Sequence, residues 1–567
     1  MLLVLIFLMV GLIGVAARPL GHFGDEDGGG GLSAVRVPPP TATPRLRPRT
    51  WTFFGGTVLT SGVLIGLQHP SPIAGCDIVV RDIVLAVTGS PTVALGYSRP
   101  VRPVVPFLGA SYLLVLACVI RAGPERRVAL AANAILFLAL SAAAQALLIV
   151  LAVRTRWPID PFGFELLLVD LSLGALVNAR AIFATFILPR PTAVPRTRPR
   201  YPSDTLLALA ALTVAACVVV LGFSYLASHP AGDLSRVLAP TYGFTIIFLF
   251  SPAALLPIGW LAPPRPQLRS DVAIDVITPA YNEAPGIEAT LRSIDHAASV
   301  HGGPVRVVVS NDGSTDATET LARAAIGNFT AAEGEVISRP NGGKAVALNR
   351  ALARTTADIV VRIDGDCVMG ADALRYTSGW FDDPRIGSVG ALMMPRRNHS
   401  SWFHRMRGLE CLFQFGLSRR GQEIVDAMTV IPGTYVAFRR EPAVAMGGFV
   451  DGMNGEDAEL IMQLGRIGYR AALDPRIRCY EDVPTDVGAF LEQRTRWSRG
   501  GIQVAARHSP ARSGSAGPRV WLSLVRRMFA WLSIMLGLTG PVYLGLLAAL
   551  HPTYRHTVVT VRSVPWI

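Results

Sequence analysis

Six short peptides between residues 270 and 500 carry side chains capable of group-transfer chemistry. They are Tyr281-Asn282-Glu283, Asn311-Asp312-Gly313-Ser314, Asn341-Gly342-Gly343-Lys344, Asp364-Gly365-Asp366, Gly455-Glu456-Asp457 and Gln493-Arg494-Thr495-Arg496-Trp497. Each is weak alone, because acidic turns and helix caps use the same residue types. Together they offer a pocket for a nucleotide, paired carboxylates for a metal-bound diphosphate, a general base and an aromatic platform for an acceptor. Transfer of a sugar from a nucleotide donor requires those parts.

Asp364 and Asp366 follow the apolar run Ile359-Val360-Val361-Arg362-Ile363, and alternate residues of an extended chain point the same way. Two hard oxygen ligands at one spot suit Mg²⁺ or Mn²⁺. Lys344 is the only lysine among 53 basic residues. It stands just after a Gly-Gly turn at the expected start of a helix, where backbone N–H groups and the helix dipole bind anions, so phosphate contact is the better reading than a stray surface lysine. Tyr281 and Glu283 can serve a base and a ribose hydroxyl, although an ordinary polar turn would use them too. In the Asn311 peptide Gly313 permits a tight turn and Asp316 can cap the next helix, leaving Asp312 for a nucleotide.

The elements that must position these peptides alternate. The runs 272–278, 305–310, 335–338 and 359–363 read as short strands rich in β-branched residues, and 287–299, 317–325 and 344–355 have helical spacing. This pattern predicts a mostly parallel sheet with helices on both faces, and ligands of such sheets sit beyond the carboxyl ends of the strands. The first, second and fourth peptides fall at those ends.

On these motifs the region 271–501 resembles the family 2 glycosyltransferases of GT-A fold, in particular their membrane-embedded processive branch of hyaluronan, chitin, cellulose and poly-N-acetylglucosamine synthases. The resemblance covers under half of the chain. It implies that Tyr281, Glu283, Asp312 and Lys344 hold a uridine nucleotide, and that Asp364 and Asp366 handle ribose, diphosphate and metal. It further implies that Gln493, Arg494 and Arg496 close over the diphosphate, that Asp457 is the base, and that Trp497 stacks on the acceptor sugar. Glu456 and the segment from Gly433 and Thr434 to Arg440 look like the acceptor site. A sugar hydroxyl is a poor nucleophile at neutral pH, so a carboxylate must remove its proton, in keeping with Asp457 as base. Acidic capping of a helix explains Glu456 or Asp457 but hardly both. Arg494, Arg496 and Trp497 have an alternative use as contacts to lipid headgroups.

Composition surrounds this region with membrane. The chain of 567 residues is 51% hydrophobic and 16% charged, too apolar for an ordinary soluble protein. Candidate spans are 2–17, 51–67, 104–120, 128–153, 162–188, 205–228, 237–262 and 528–550. Seven precede the motifs and one follows them, more before and fewer after than processive synthases usually have. Arginines crowd the loops 18–50, 121–127 and 190–204, which the positive-inside rule places in the cytoplasm together with the motif region. The net charge of +13 then reflects topology and contact with the lipid bilayer, and no basic stretch interleaved with aromatics points to nucleic acid. The six scattered cysteines lack the paired spacing of a zinc site.

The expected organisation is an apolar segment and Pro/Gly linker (1–50), a multi-span region (51–265), a cytoplasmic GT-A domain (266–510), and an interfacial helix with a last span (511–567). The expected activity is that of an inverting hexosyltransferase at the plasma membrane, moving sugar from a UDP-sugar donor to a growing β-linked glycan with Mg²⁺ or Mn²⁺. Two alternatives remain beside it: sugar transfer to a polyprenyl phosphate, and a membrane scaffold or transporter carrying an inactive transferase domain.

Overall fold

A computed structural model describes residues 266–396, 402–424, 428, 430–484 and 486–508, the helix α1 (Pro124–Thr155), and a few isolated positions between 85 and 177. Of the expected spans only 128–153 falls among them, within α1; the others lie wholly or almost wholly outside the described residues, as do 1–50 and 511–567. The stretch Arg127–Ala144 of α1 is the one helix among the described residues long and apolar enough to cross a membrane. One of its sides packs Leu130, Ala134 and Phe137 on Leu113 and Ala117, while Val128, Ile135 and Leu147 are exposed.

The motif region folds into an eight-stranded sheet flanked by helices on both faces. Its first half runs β1 (Ile274–Ala280), α2 (Ile287–His301), β2 (Val305–Asn311), α3 (Thr318–Gly327), β3 (Glu333–Ser338), α4 (Lys344–Leu352) and β4 (Ile359–Ile363). These are the strand–helix alternations read from sequence. β3, β2, β1 and β4 lie side by side and all parallel. Their side chains alternate between two cores: Ile359, Val361 and Ile363 join Leu291 and Ile294 of α2 on one face, and Val360 joins Leu348 of α4 on the other. Burial on both faces explains why β1, β2 and β4 read as continuous apolar runs.

The second half departs from a parallel sheet. It comprises β5 (Val368–Met369), α5 (Ala373–Trp380), β6 (Ile386–Pro395), α6 (Trp402–Glu410), a π-helical segment Cys411–Leu417, α7 (Ser418–Ile424), β7 (Tyr435–Arg439), α8 (Arg440–Ala445), α9 (Glu456–Arg466), β8 (Arg470–Glu481) and α10 (Val487–Arg507). The strand order is β3-β2-β1-β4-β7-β6-β8-β5. β7 is inserted antiparallel between β4 and β6, β5 pairs antiparallel with β8, and β6 runs parallel to β8. The sheet is therefore mixed rather than mostly parallel. The domain is nonetheless an α/β unit with helices on both faces of its sheet, as the motifs led us to expect.

Candidate active site

The turn after β1 is tied to the turn after β2. Asn282 adopts a left-handed backbone, φ 56°, and its Oδ1 accepts the Thr315 N–H at 2.9 Å. The Asn282 N–H donates to Ser314 Oγ at 3.0 Å, and the Glu283 N–H donates to Thr318 Oγ1 at 2.8 Å. Asp316 accepts from the amides of Thr318 and Ala284, so it joins the two turns as well as opening α3. Tyr281 itself remains 46% exposed.

Asp312 is buried, and its carboxylate holds the Gly342–Gly343 turn: Oδ1 accepts the Gly342 N–H at 2.9 Å and Oδ2 accepts the Gly343 N–H at 2.8 Å. Arg350 donates to the same Oδ1 at 3.3 Å. Asp312 was expected to face a nucleotide, and here these internal bonds occupy both of its oxygens. Gly343 has φ 94°, a conformation that L side chains rarely adopt, and it launches α4 with Lys344 directed at the end of β4.

Lys344 Nζ lies 2.9 Å from the Asp364 carboxylate and 3.8 Å from Glu456 Oε1. Burial opposes the ammonium charge, but Asp364 and Glu456 outweigh it and hold the Lys344 pKa above its ordinary value. Asp364 in turn sits below the usual carboxylate range: burial opposes its ionisation, and Lys344 and Arg362 overcome that. β7 faces β4 with Ile363 opposite Tyr435, so Thr434 comes next to Asp364, whose N–H donates to the Thr434 carbonyl at 3.4 Å. Gly433 thereby comes against Asp457 and Arg362. A β-carbon there would stand 2.8 Å from Asp457 Oδ2 and 3.0 Å from both Arg362 Nη1 and Nη2.

Asp457 is on the first turn of α9 and half-buried. Burial, reinforced by Glu456, raises its pKa, against the pull of Arg362 and the Ala458 N–H. A carboxylate whose pKa is raised is a stronger base, which suits a proton acceptor. Glu456, expected at the acceptor, is instead turned toward Arg362, which donates to its Oε1 at 3.0 Å.

Asp366 is brought to two further carboxylates by the strand that follows it. β5 pairs Val368 with Tyr480 of β8, which delivers Glu481 to the turn. A β-carbon at Gly365 would lie 3.2 Å from Glu283 Cγ, placing Glu283 over the same turn. Burial, then Asp366 and Asp364, push Glu283 up to about 7 and Glu481 up to about 8.

The sixth peptide occupies α10, whose Gly500 packs against the Gly455 backbone just before Glu456. The Asn454 N–H donates to Gln503 Oε1 of the same helix at 2.9 Å. Gln493 accepts from buried Arg407 at 3.3 Å, and Arg494 forms an ion pair with Glu410. Arg494 lies 4.6 Å from the centroid of the Trp497 ring, and Phe415 meets the same ring edge-on at 5.7 Å. Arg496 is exposed. Gln493, Arg494 and Trp497, expected over the diphosphate and the acceptor, are thus packed on α6 and the π-helical segment; burial lowers the Arg494 pKa and makes an acidic partner necessary.

Residues 359–560 match the sequence profile of glycosyl transferase family group 2. That stretch is similar to a family 2 glycosyltransferase domain. The chain is 30% identical over 247 residues to the poly-beta-1,6-N-acetyl-D-glucosamine synthase of Staphylococcus aureus strain COL, covering 43% of this chain and 58% of that one. It is 29% identical over 238 residues to the protein of the same name from Staphylococcus epidermidis, covering 41% and 56%. The chain therefore spans little more than half the length of the curated relatives it matches. Among solved structures, it is similar to the mannosyltransferase PcManGT from Pyrobaculum calidifontis in complex with GDP-Man and Mn²⁺, with 24% identity, 58% of this chain, 96% of that chain and a TM-score of 0.43.

The transferase domain offers a donor set that fits a divalent cation. Among the described residues no three metal-ligating side chains form a ready cage. Mg²⁺ and Mn²⁺ sites in nucleotide enzymes need only one or two carboxylates, the remaining ligands being phosphate oxygens and water. Asp364 and Asp366 are the pair expected to serve, and Glu283 and Glu481 near them are raised by burial first and by the two aspartates second. Sequence reasoning missed Arg362, Arg407, Glu410 and Glu481. A signal existed for Arg362, a lone charge inside an apolar strand; Glu481 becomes recognisable only through the β5–β8 pairing.

Proposed function

We propose that this protein is an inverting glycosyltransferase that moves a sugar from a uridine-diphosphate donor to a hydroxyl of a growing β-linked glycan at a membrane. One observation carries the reading: Lys344, Asp364 and Asp457 come from three separate peptides, yet Lys344 contacts Asp364, the Asp364 N–H meets the Thr434 carbonyl, and Asp457 lies against the adjoining Gly433. The cationic Lys344 end suits the donor diphosphate, and the Asp457 end suits an incoming hydroxyl. In the reaction Asp457 accepts the hydroxyl proton while that oxygen forms a bond to the anomeric carbon. The bond from that carbon to the diphosphate oxygen breaks on the opposite side, and the nucleoside diphosphate leaves. In-line displacement converts an α-linked donor to a β-linked product, following the stereochemical logic of inverting glycosidases. Asp364 and Asp366 would hold a divalent cation whose charge stabilises the departing diphosphate. Tyr281 and Glu283 border the nucleoside end, and Gly433 and Thr434 the acceptor end.

A polyprenyl-phosphate acceptor is already anionic and needs no base, so the half-buried Asp457 carboxylate with its raised pKa speaks for a hydroxyl acceptor. The names of the relatives make N-acetylglucosamine the first sugar to test. Membranes carrying the full chain are incubated with radiolabelled UDP-sugars and Mg²⁺ or Mn²⁺, and products are sized and digested with linkage-specific hydrolases. The expected result is metal-dependent incorporation into hydrolase-sensitive polymer that disappears in Asp366→Ala and Asp457→Asn. Label in a lipid-extractable product, or Asp457→Asn with full activity, would overturn the reading.

A further inference from the structure

Arg362 is the one charged residue of β4, and every other residue of that strand is apolar and buried. Its guanidinium is 1% exposed, a costly place for a charge unless it is paired. Alternation along the strand puts its side chain on the same face as Val360 and Asp364. There Nη2 donates to Asp364 Oδ1 at 3.0 Å and to Glu456 Oε1 at 3.0 Å, and the plane lies over the Phe449 ring at 6.0 Å. Phe449 is itself fixed by Asn349, which accepts its N–H at 2.8 Å and donates to its carbonyl at 2.7 Å. One nitrogen therefore bridges the turn that handles the donor and the turn that carries the base.

Glu456 and Asp457 are adjacent carboxylates at the same helix start, and among the described residues only Glu456 is within ion-pair distance of a cation. Glu456 has Arg362 at 3.0 Å and Lys344 at 3.8 Å. Asp457 makes no ion pair among the described residues, and its Oδ2 reaches the point beside Gly433 that both Arg362 Nη atoms also flank. Without Arg362 the two carboxylates would share one field, and either could take up a proton or swing toward Lys344.

We propose that Arg362 is a positioning residue of the transfer reaction, which neutralises Glu456 and locks it against the Asp364 turn so that Asp457 alone remains available to the acceptor hydroxyl. This rests on the reading of Asp457 as base given above. Arg362 acts through Glu456 and does not need to touch either sugar.

The test is a double-mutant cycle in the full chain, with Arg362→Met, Glu456→Gln and the double variant, together with Arg362→Lys. Donor KM, kcat and the melting midpoint of detergent-solubilised protein are measured for each. Arg362→Met is expected to lower kcat about a hundredfold while donor KM moves less than about fivefold, because Lys344 still holds Asp364. Removing the charge of Glu456 in the same chain should restore at least about tenfold of the lost kcat, and the melting shifts should be clearly less than additive. Arg362→Lys keeps the charge but not the planar head, and should fall between wild type and Arg362→Met. A merely structural arginine would lower the melting midpoint and the active fraction with no rescue by Glu456→Gln. Absence of that rescue, or Arg362→Met with wild-type kcat, overturns the proposal. Wild-type protein that transfers no sugar would instead remove the reading of function, and additive melting shifts would then dispose of the Arg362–Glu456 coupling independently.

Discussion

Gly433 and Asp457 are packed so closely that a β-carbon on the glycine would stand 2.8 Å from Asp457 Oδ2. The neighbour on the other side is the buried Arg362 guanidinium, which cannot yield, so a methyl group at 433 must displace the carboxylate or the backbone before β7. Displacements of about 1 Å at reacting groups cost on the order of a hundredfold in rate. Gly433→Ala should therefore lower kcat by about that factor and leave nucleotide binding near its wild-type value. Steady-state kinetics alongside calorimetric titration with UDP would decide it, and an unchanged kcat would separate Gly433 from the acceptor side of the cleft.

Lys344 governs the other end. Charge-assisted hydrogen bonds contribute roughly 1.5–3 kcal/mol, equivalent to about ten- to hundredfold in affinity. Lys344→Met should weaken UDP binding in the presence of Mn²⁺ by that range. Lys344→Arg should not restore it fully, since a planar fork replaces a compact ammonium held between Asp364 and Glu456. Equal UDP affinity in wild type and Lys344→Met would show that the lysine serves only to anchor Asp364.

The first half of this fold was legible because β1, β2 and β4 are buried on both faces and so appear as plain apolar runs separated by helical spacing. Tyr435-Val436-Ala437-Phe438-Arg439 has strand composition as well, but a strand's direction and neighbours depend on long-range pairing that composition does not encode. For that reason the antiparallel insertion of β7 escaped notice, and with it the reason Gly433 meets Asp457. Lys344 could be singled out from its rarity alone. Glu456 could not be separated from Asp457, because their difference lies in Arg362, a residue 94 positions earlier in the chain. The packing of Gln493, Arg494 and Trp497 on Arg407, Glu410 and Phe415 was equally hidden, since α6 and the π-helical segment carry no motif.

A contact between two glycines joins the start of α9 to α10. A β-carbon at Gly500 would lie 2.7 Å from the Asn454 carbonyl oxygen, and one at Gly455 would lie 3.3 Å from the Gly500 backbone. Overpacking of this kind typically costs ~1–3 kcal/mol. Gly500→Ala should lower the melting midpoint and also reduce transfer, because the turn it pushes on carries Glu456 and Asp457. The control is Gly465→Ala on α9, where an added β-carbon meets nothing within 4 Å. Equal melting midpoints for the two variants would exclude the close approach as a determinant of stability.

The far end of α10 carries a pH dependence whose sign can be worked out. His508 is fully buried with Nε2 2.9 Å from Glu459 Oε2, and Glu459 is also ion-paired with Arg507. Burial, followed by the charges of Arg507 and Arg466, pushes His508 down to about 3. An unfolded histidine takes up its proton near 6.5, so between pH 3 and 6.5 the unfolded chain binds more protons than the folded one. Stability is therefore fully present above pH 6.5 and declines as the pH falls below it, by up to about 1.4 kcal/mol per pH unit for this single proton. At pH 5 the loss from this group should reach roughly 2 kcal/mol relative to pH 7. His508→Gln keeps a donor for Glu459 and removes the titration, so its stability should fall less steeply between pH 6.5 and 5 than that of the wild type. Melting midpoints at several pH values measure the two slopes, and parallel curves would mean that His508 is already protonated in the folded chain.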